Sequence, residues 1–293
     1  MHNSVTVSNL SLVFAFALVM VSVGISLKEQ LGLTKDVLWS VCRAIVQLVI
    51  VGYVLKFIFN INNTWLTILM TLFIIVNASW NAYKRDPNPH SHYWNSLVAL
   101  LVGTYIVLGV LILSGAIKLI PSQIIPITGM IASNGMVAMG LCYKTMNAAF
   151  HDQRQQVLEK LALGADVKLA SQAILKRSIK TAMQPSIDSI KTVGLVSLPG
   201  MMSGLIFAGV DPVYAIRYQI MVSFMLLATT GFGAVISGYL SYRNYFNDRQ
   251  RPPPTSDRIK TGAPPAWWGS CFVSMMLITI PVVPDVFKAV QLS

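Results

Sequence analysis

The sequence predicts an all-α, polytopic membrane protein with about seven transmembrane helices, and three observations lead to that prediction. Of the 293 residues, 54% are hydrophobic and only 11% are charged, whereas soluble domains carry about 25% charged residues. The apolar residues form long runs, and the charges collect in a few connections between them. Several runs approach the ~20 apolar residues that a helix needs to cross hydrocarbon, where lipid offers the backbone no hydrogen-bond partners.

Seven segments meet that requirement of length and apolarity. They are Asn9–Leu27, Val37–Phe59, Trp65–Tyr83, Tyr93–Ile117, Ser122–Tyr143, Thr192–Ala208 and Val213–Tyr242. The polar turn 60–64 separates the second from the third. Asp211 and Pro212 mark the start of the last segment. Proline is common at the first helical position, because the N–H that it lacks would have no partner there.

The basic residues predict how these helices are oriented. The net charge of +11 does not indicate nucleic-acid binding, because the charges lie where membrane topology requires them. If the N-terminus is outside, the inner connections hold Lys28, Lys35, Lys84, Arg85, Lys144, Arg154, Lys160, Lys168, Lys176, Arg177, Lys180 and Lys191. The positive-inside rule then places the longest loop and the C-terminal tail in the cytoplasm.

That longest loop, about residues 149–184, is predicted to form a helical hairpin. From Asp152 to Met183 it has no proline, is rich in helix formers, and repeats apolar residues every three or four positions. Gly164 predicts a turn between two helices. The hairpin either lies on anionic lipid or docks on a separate ATPase, since the chain itself has no phosphate-binding loop motif.

The segment Glu159-Lys-Leu-Ala-Leu-Gly164-Ala165 resembles the "EAA" loop of ABC-transporter permeases, in which a short helix inserts into a groove of the ATPase subunit. It differs from the importer pattern, because the glutamate is one place closer to the glycine and Pro185 lies further on. The resemblance implies that Glu159, Leu163, Gly164 and Ala165 couple the chain to an ATPase.

A wider resemblance includes the flanking segments. Residues 35–48, 77–82, 160–165 and 191–212 are similar to the Fet-type ABC permease family, which includes a bacterial iron-export permease and plant aluminium-tolerance permeases. The similarity runs from about Leu10 to Phe246. It implies a non-enzymatic permease subunit of the bacterial inner membrane that exports iron or a related load. ATP and Mg are then expected in the partner ATPase, with no cofactor on this chain. Because one chain has one such loop, a homodimer is expected to meet two ATPase subunits.

Polar groups within the predicted spans are candidates for a transport path, because a charge at the bilayer centre costs about 2.5–3.5 kcal/mol. Arg43, with Gln47 one turn further on, either lines the path or snorkels to the inner surface. Asn77 and Asn81 either serve the path or bond neighbouring helices. The full set of path candidates is Arg43, Gln47, Asn77, Asn134, Met130, Met136, Asp188, Pro199, Gly200, Met201 and Met202.

Asp188 is the candidate metal ligand, since carboxylate oxygen suits hard ions such as iron. Its spacing from Lys191 also predicts an ion pair. The methionines would favour soft ions such as copper(I), or they fill irregular helix interfaces. Pro126 and Pro199 stand in similar short motifs and predict either interrupted helices that line a cavity or ordinary kinks.

The predicted permease domain is 1–246, and 247–293 is predicted to be a poorly ordered or interfacial tail. This tail combines a proline-rich linker with an apolar segment, Trp267–Val283, at the lower limit for a span. Three alternatives stay open: an ATPase-independent carrier or channel, a membrane scaffold, and an ABC exporter for another substrate. A carrier would need titratable groups within the spans, where Asp and Glu are nearly absent.

Overall fold

The computed structural model describes residues 9–30, 32, 34–61, 63–88 and 91–246. Nine α-helices and a terminal 3₁₀ turn account for most of these residues. They are α1 (Asn9–Lys28), α2 (Thr34–Ile61), α3 (Thr64–Lys84), α4 (Tyr93–Leu113), α5 (Pro121–Asp152), α6 (Arg154–Ala162), α7 (Val167–Thr192), α8 (Gly200–Phe207), α9 (Pro212–Ser241) and the 3₁₀ turn Tyr242–Tyr245. These described ranges contain no β-strand, so the all-α class is confirmed. The predicted tail, 247–293, lies outside them.

Five helices in the described part of the chain are long and apolar enough to cross a membrane. The segments are Thr34–Lys56, Thr64–Lys84, Tyr93–Leu113, Pro121–Asp152 and Pro212–Tyr245. In addition, α1 contributes a shorter apolar stretch, Phe16–Lys28. These helices confirm a polytopic membrane protein. The count of seven and the orientation stay predictions.

The prediction of one spanning helix over Thr192–Ala208 is wrong. Helix α7 ends at Thr192, and the chain turns through Gly194, whose φ of 83° lies in the left-handed region that favours glycine. Helix α8 then begins at Gly200 and has eight residues, about 12 Å of helix. The region was predicted to be helical because it is apolar, but glycine and proline divide it.

Helix α5 lies at the centre of the bundle and packs against α3, α4, α7 and α9. Its contact with α9 brings the two backbones together at Gly135 and Gly233. A methyl group on Gly233 would lie 3.3 Å from the Gly135 carbonyl oxygen and 3.4 Å from its Cα. Small residues at such a crossing let two membrane helices approach closely.

Helix α7 packs against α5 and α9. Its buried Ala182 clusters with Cys142 and Ala234, and a methyl group on Gly231 would lie 3.3 Å from the Met183 Cε. Gly231 is next to Phe232, whose Cβ lies 3.5 Å from a methyl group placed on Gly103. Gly103 is the middle residue of α4. The end of the Met183 side chain therefore lies level with the middle of α4.

Candidate coupling loop and transport path

The turn between α6 and α7 has the geometry that the sequence predicted at Gly164. Gly164 adopts a φ of 90°, and three successive N–H groups donate to carbonyls at the end of α6. Leu163 N–H bonds the Glu159 oxygen, Gly164 N–H bonds that of Leu161, and Ala165 N–H bonds that of Lys160, each at 3.0 Å. These bonds satisfy carbonyls that a helix end would otherwise leave without partners.

Leu163 is the apolar tip of this turn, with 88% of its surface exposed. Glu159, also exposed, accepts a hydrogen bond at 3.2 Å from the amide nitrogen of Gln155, one turn earlier. Ala165 is half-buried. The turn therefore presents a leucine beside a carboxylate.

A packed base holds the turn in place. Val157 of α6 is 1% exposed and belongs to the cluster that contains Met146 and Phe150 of α5. The Phe150 ring stacks on Tyr245 with centroids 4.6 Å apart. Leu161 packs against the same cluster. Buried contacts of this kind restrict the rotamers and the helix position, so Leu163 projects from a fixed support.

Asp166 caps α7 by accepting a 2.8 Å hydrogen bond from the Val167 N–H. We expect Asp166→Ala to destabilise the first turn of α7 by about 1 kcal/mol, because an orphan backbone donor loses its partner. Hydrogen exchange of the peptide that begins at Val167 should accelerate, while peptides of α9 keep the parental rate. Asp166→Asn is the matched control, since asparagine caps helices equally well. Equal exchange in Asp166→Ala and the parent would contradict the cap.

The polar path candidates of α2, α3 and α5 bond within their own helices. With the Gln47 amide oriented toward Arg43, its oxygen accepts hydrogen bonds from the guanidinium at 3.0 and 3.3 Å. The amide nitrogen of Asn81 donates to the carbonyl and side-chain oxygens of Asn77, at 2.9 and 3.0 Å. Asn134 likewise donates to the carbonyl one turn earlier in α5, at 2.9 Å. These hydrogen bonds within each helix reduce the free-energy cost of removing the polar side chains from water.

The methionine candidates separate into two clusters. Met130 of α5 and Met201 of α8 pack against the same cluster, which includes Val222 and Met225 of α9. Met136 packs instead against the cluster that contains Met146 and Phe150. Pro199 precedes α8 and Gly200 begins it, while Met202 is half-buried. By contrast, Pro126 lies inside a continuous α5, so of the two proline motifs only the one at Pro199 stands at a break in helix.

Asp188 forms the ion pair that its spacing predicted, since Lys191 Nζ lies 3.1 Å from Oδ1. Gln184 Nε2 also donates to both carboxylate oxygens, at 2.9 and 3.0 Å. Among the described residues no group of three His, Cys, Asp or Glu side chains is placed to hold a metal ion. The carboxylate is therefore held by its neighbours on α7.

Comparison with known proteins identifies the family. The profile of the uncharacterised protein family UPF0014 matches residues 9–246. The chain belongs to this family. It is 55% identical over 249 residues to the "Probable iron export permease protein FetB" of Escherichia coli K12. That match covers 85% of this chain and 96% of the relative.

Two other relatives are more distant. A membrane protein of Bacillus subtilis, YjkA, is 34% identical over 83% of this chain and 97% of its own length. The Arabidopsis thaliana protein ALUMINUM SENSITIVE 3 is 35% identical over 79% of this chain and 85% of its own length. These matches confirm the resemblance to a family that includes a probable iron export permease protein and a plant protein named for aluminium sensitivity. No solved structure matches the chain.

Sequence analysis of this UPF0014 chain missed the polar face of α7. We give this name to six residues that are all exposed and that recur at three- and four-residue spacing: Arg177, Lys180, Thr181, Gln184, Asp188 and Lys191. The spacing was readable from the sequence, since residues so spaced share one helix face. It was missed because the residues up to about 184 were assigned to the cytoplasmic loop on their charge, and only Asp188 was named as a path candidate.

Proposed function

We propose that this chain is the transmembrane permease subunit of an ATP-binding-cassette exporter for metal ions, with iron as the cargo. The observation that carries the proposal is the exposed Leu163 at the tip of the α6–α7 turn. An exposed apolar side chain on a turn with a packed base is suited to fill a pocket of a partner protein. The E. coli relative is named an iron export permease, which supports the cargo and the direction.

The partner is an ATPase subunit that binds ATP and Mg, so this chain supplies the path and no catalysis. We place the N-terminus outside and the α6–α7 turn in the cytoplasm of a bacterial inner membrane, by the charge distribution of the connections. Arg177, Lys180 and Lys191 no longer count toward this distribution, because they belong to α7, which runs beside the spanning helices. A homodimer would present two such turns to two ATPase subunits.

The experiment that tests the proposal is uptake of radiolabelled iron into inside-out vesicles that contain this chain and its candidate ATPase. We expect accumulation that requires ATP and both proteins. Gly164→Val should abolish it, because valine is strained at a φ of 90° and the turn loses its shape.

The matched control is Gly115→Val. Gly115 has a φ of 71° in the turn after α4, and at Gly115, as at Gly164, an added methyl group would meet no atom within 4 Å. Both substitutions strain a turn, but only Gly164 lies in the proposed docking surface. Accumulation of iron by this chain without the ATPase would replace the proposal with a carrier. Equal loss of iron accumulation in the two glycine variants would contradict a specific role of the α6–α7 turn in coupling to the ATPase.

A further inference from the structure

The polar face of α7 lies beside helices that cross the membrane. Leu175 and Ile179 come within 3.0 and 3.4 Å of a methyl group placed on Gly238, near the C-terminal end of α9. Met183 is level with the middle of α4, as described above. From Met183 to Thr192 the helix continues for about 14 Å at 1.5 Å per residue, which is close to half the ~30 Å hydrocarbon core.

This face cannot lie against lipid. The side chain of Asp188 is 52% exposed and that of Lys191 is 65% exposed, and Gln184 is exposed one turn nearer the centre. Charged and amide groups at such depth in membrane proteins face a water-filled cavity or the interior of the bundle. The opposite face of α7 is already packed, since Leu175 and Ala182 are buried against α5 and α9.

We propose that the polar face of α7 is a wall of the water-filled translocation path and that it selects an anionic cargo, in which iron travels as a negatively charged carboxylate complex. This inference rests on the proposed export function and names the chemical form of its substrate. The second copy of the chain would supply the facing wall, because a single helix face encloses no path.

The charges of α7 argue for an anion rather than a bare metal ion. Between Val167 and Thr192 the sequence has five basic residues and one acidic residue, Asp188. That carboxylate is paired with Lys191 at 3.1 Å, and both of its oxygens accept hydrogen bonds from the Gln184 amide nitrogen. Asp188 therefore neutralises the charge of one lysine on the polar face of α7. Arg177 and Lys180 add positive charge along the same face. A path lined by one sign of charge concentrates ions of the opposite sign.

The test measures thiol modification in open membrane fragments, without iron or ATPase. Gln184→Cys and Thr181→Cys are treated with two membrane-impermeant methanethiosulfonates, one carrying a sulfonate and one a trimethylammonium. Rates are corrected for the parent's own cysteines and for each reagent's reaction with 2-mercaptoethanol. We expect both variants to react, with the anionic reagent favoured by about tenfold, which is the effect of a positive local potential of about 1 kT on two reagents of opposite charge.

Val102→Cys and Phe224→Cys are the matched controls, because these exposed apolar residues lie at membrane depth on α4 and α9. They should stay unmodified. If Gln184→Cys reacts as slowly as Val102→Cys, the face is not in water and the proposal fails. If the cationic reagent reacts as fast as the anionic one, the anionic cargo is refuted.

A transport measurement then tests the cargo itself. In vesicles with the ATPase, iron supplied as its citrate complex should accumulate faster than ferrous iron without a chelator, and Lys180→Gln should slow only the former. Faster uptake of free ferrous iron would overturn the anionic cargo. Because the labelling needs neither iron nor ATP, the expected labelling pattern without any iron uptake would refute the proposed iron exporter and leave the water-lined face in place.

Discussion

Leu163→Asp should reduce ATP-driven transport at least tenfold while the protein still inserts in the membrane. Leu163 is 88% exposed, so its replacement leaves the fold intact. An apolar anchor in a partner's pocket contributes about 2 kcal/mol or more, and a charge in its place would also be desolvated. The measurement is the ATPase rate and iron accumulation in vesicles with a fixed amount of the partner.

Leu119→Asp is the matched control for this prediction. Leu119 is 64% exposed in the connection between α4 and α5, which the topology places on the other side of the membrane. We expect that variant to keep parental transport. Leu163→Asp with parental coupling, at equal membrane content, would show that the tip of the turn makes no essential contact with the ATPase.

The hairpin was predictable from the sequence because its signals are local. A proline-free segment with helical spacing and a single glycine specify two helices and a turn, and Gly164 adopts the left-handed φ that glycine permits. Hydropathy alone located α2 to α5 and α9, since each is a long apolar run. The sequence therefore predicted α2, α3, α4, α9 and the turn within a few residues, whereas α5 continues to Asp152, well past its predicted end at Tyr143.

The sixth segment could not be predicted in the same way, because hydropathy averages over all faces of a helix. Helix α7 carries charges on one face and buries the other, so its mean hydropathy is low even where it lies level with the middle of α4. Residues 192–208 have the opposite property. They are apolar throughout, but Gly194 and Pro199 prevent one continuous helix. Tertiary packing decides such cases.

The path candidates show a further limit of the sequence. Asn77 and Asn81 were predicted either to serve the path or to bond neighbouring helices, and the structure pairs them within α3. Spacing predicts which residues share a face, but it does not say which helix that face meets. The same applies to Met130 and Met201, which come to one cluster from α5 and α8.

Gly233→Val should prevent assembly of the bundle or destabilise it strongly. A first side-chain carbon at Gly233 already lies 3.3 Å from the Gly135 carbonyl oxygen, so α5 and α9 must separate to admit valine. Overpacking costs about 1–3 kcal/mol even where flexible side chains give way, and here the neighbour is backbone. We expect a melting temperature in detergent lower by roughly 5–10 °C, given about 2–4 °C per kcal/mol for a chain of this size.

Gly109→Val is the control, because Gly109 of α4 has no atom within 4 Å of an added methyl group. Both substitutions place the same β-branched residue inside a helix, so they share the intrinsic helix term. The difference between their melting temperatures isolates the contact of α5 with α9. Equal melting temperatures would mean that the two backbones are further apart than 3.3 Å implies. The depth of α7 in the membrane is inferred from the contact of Met183 with Gly231, two residues before Gly233 on α9. Equal melting temperatures would therefore also remove the basis for that depth.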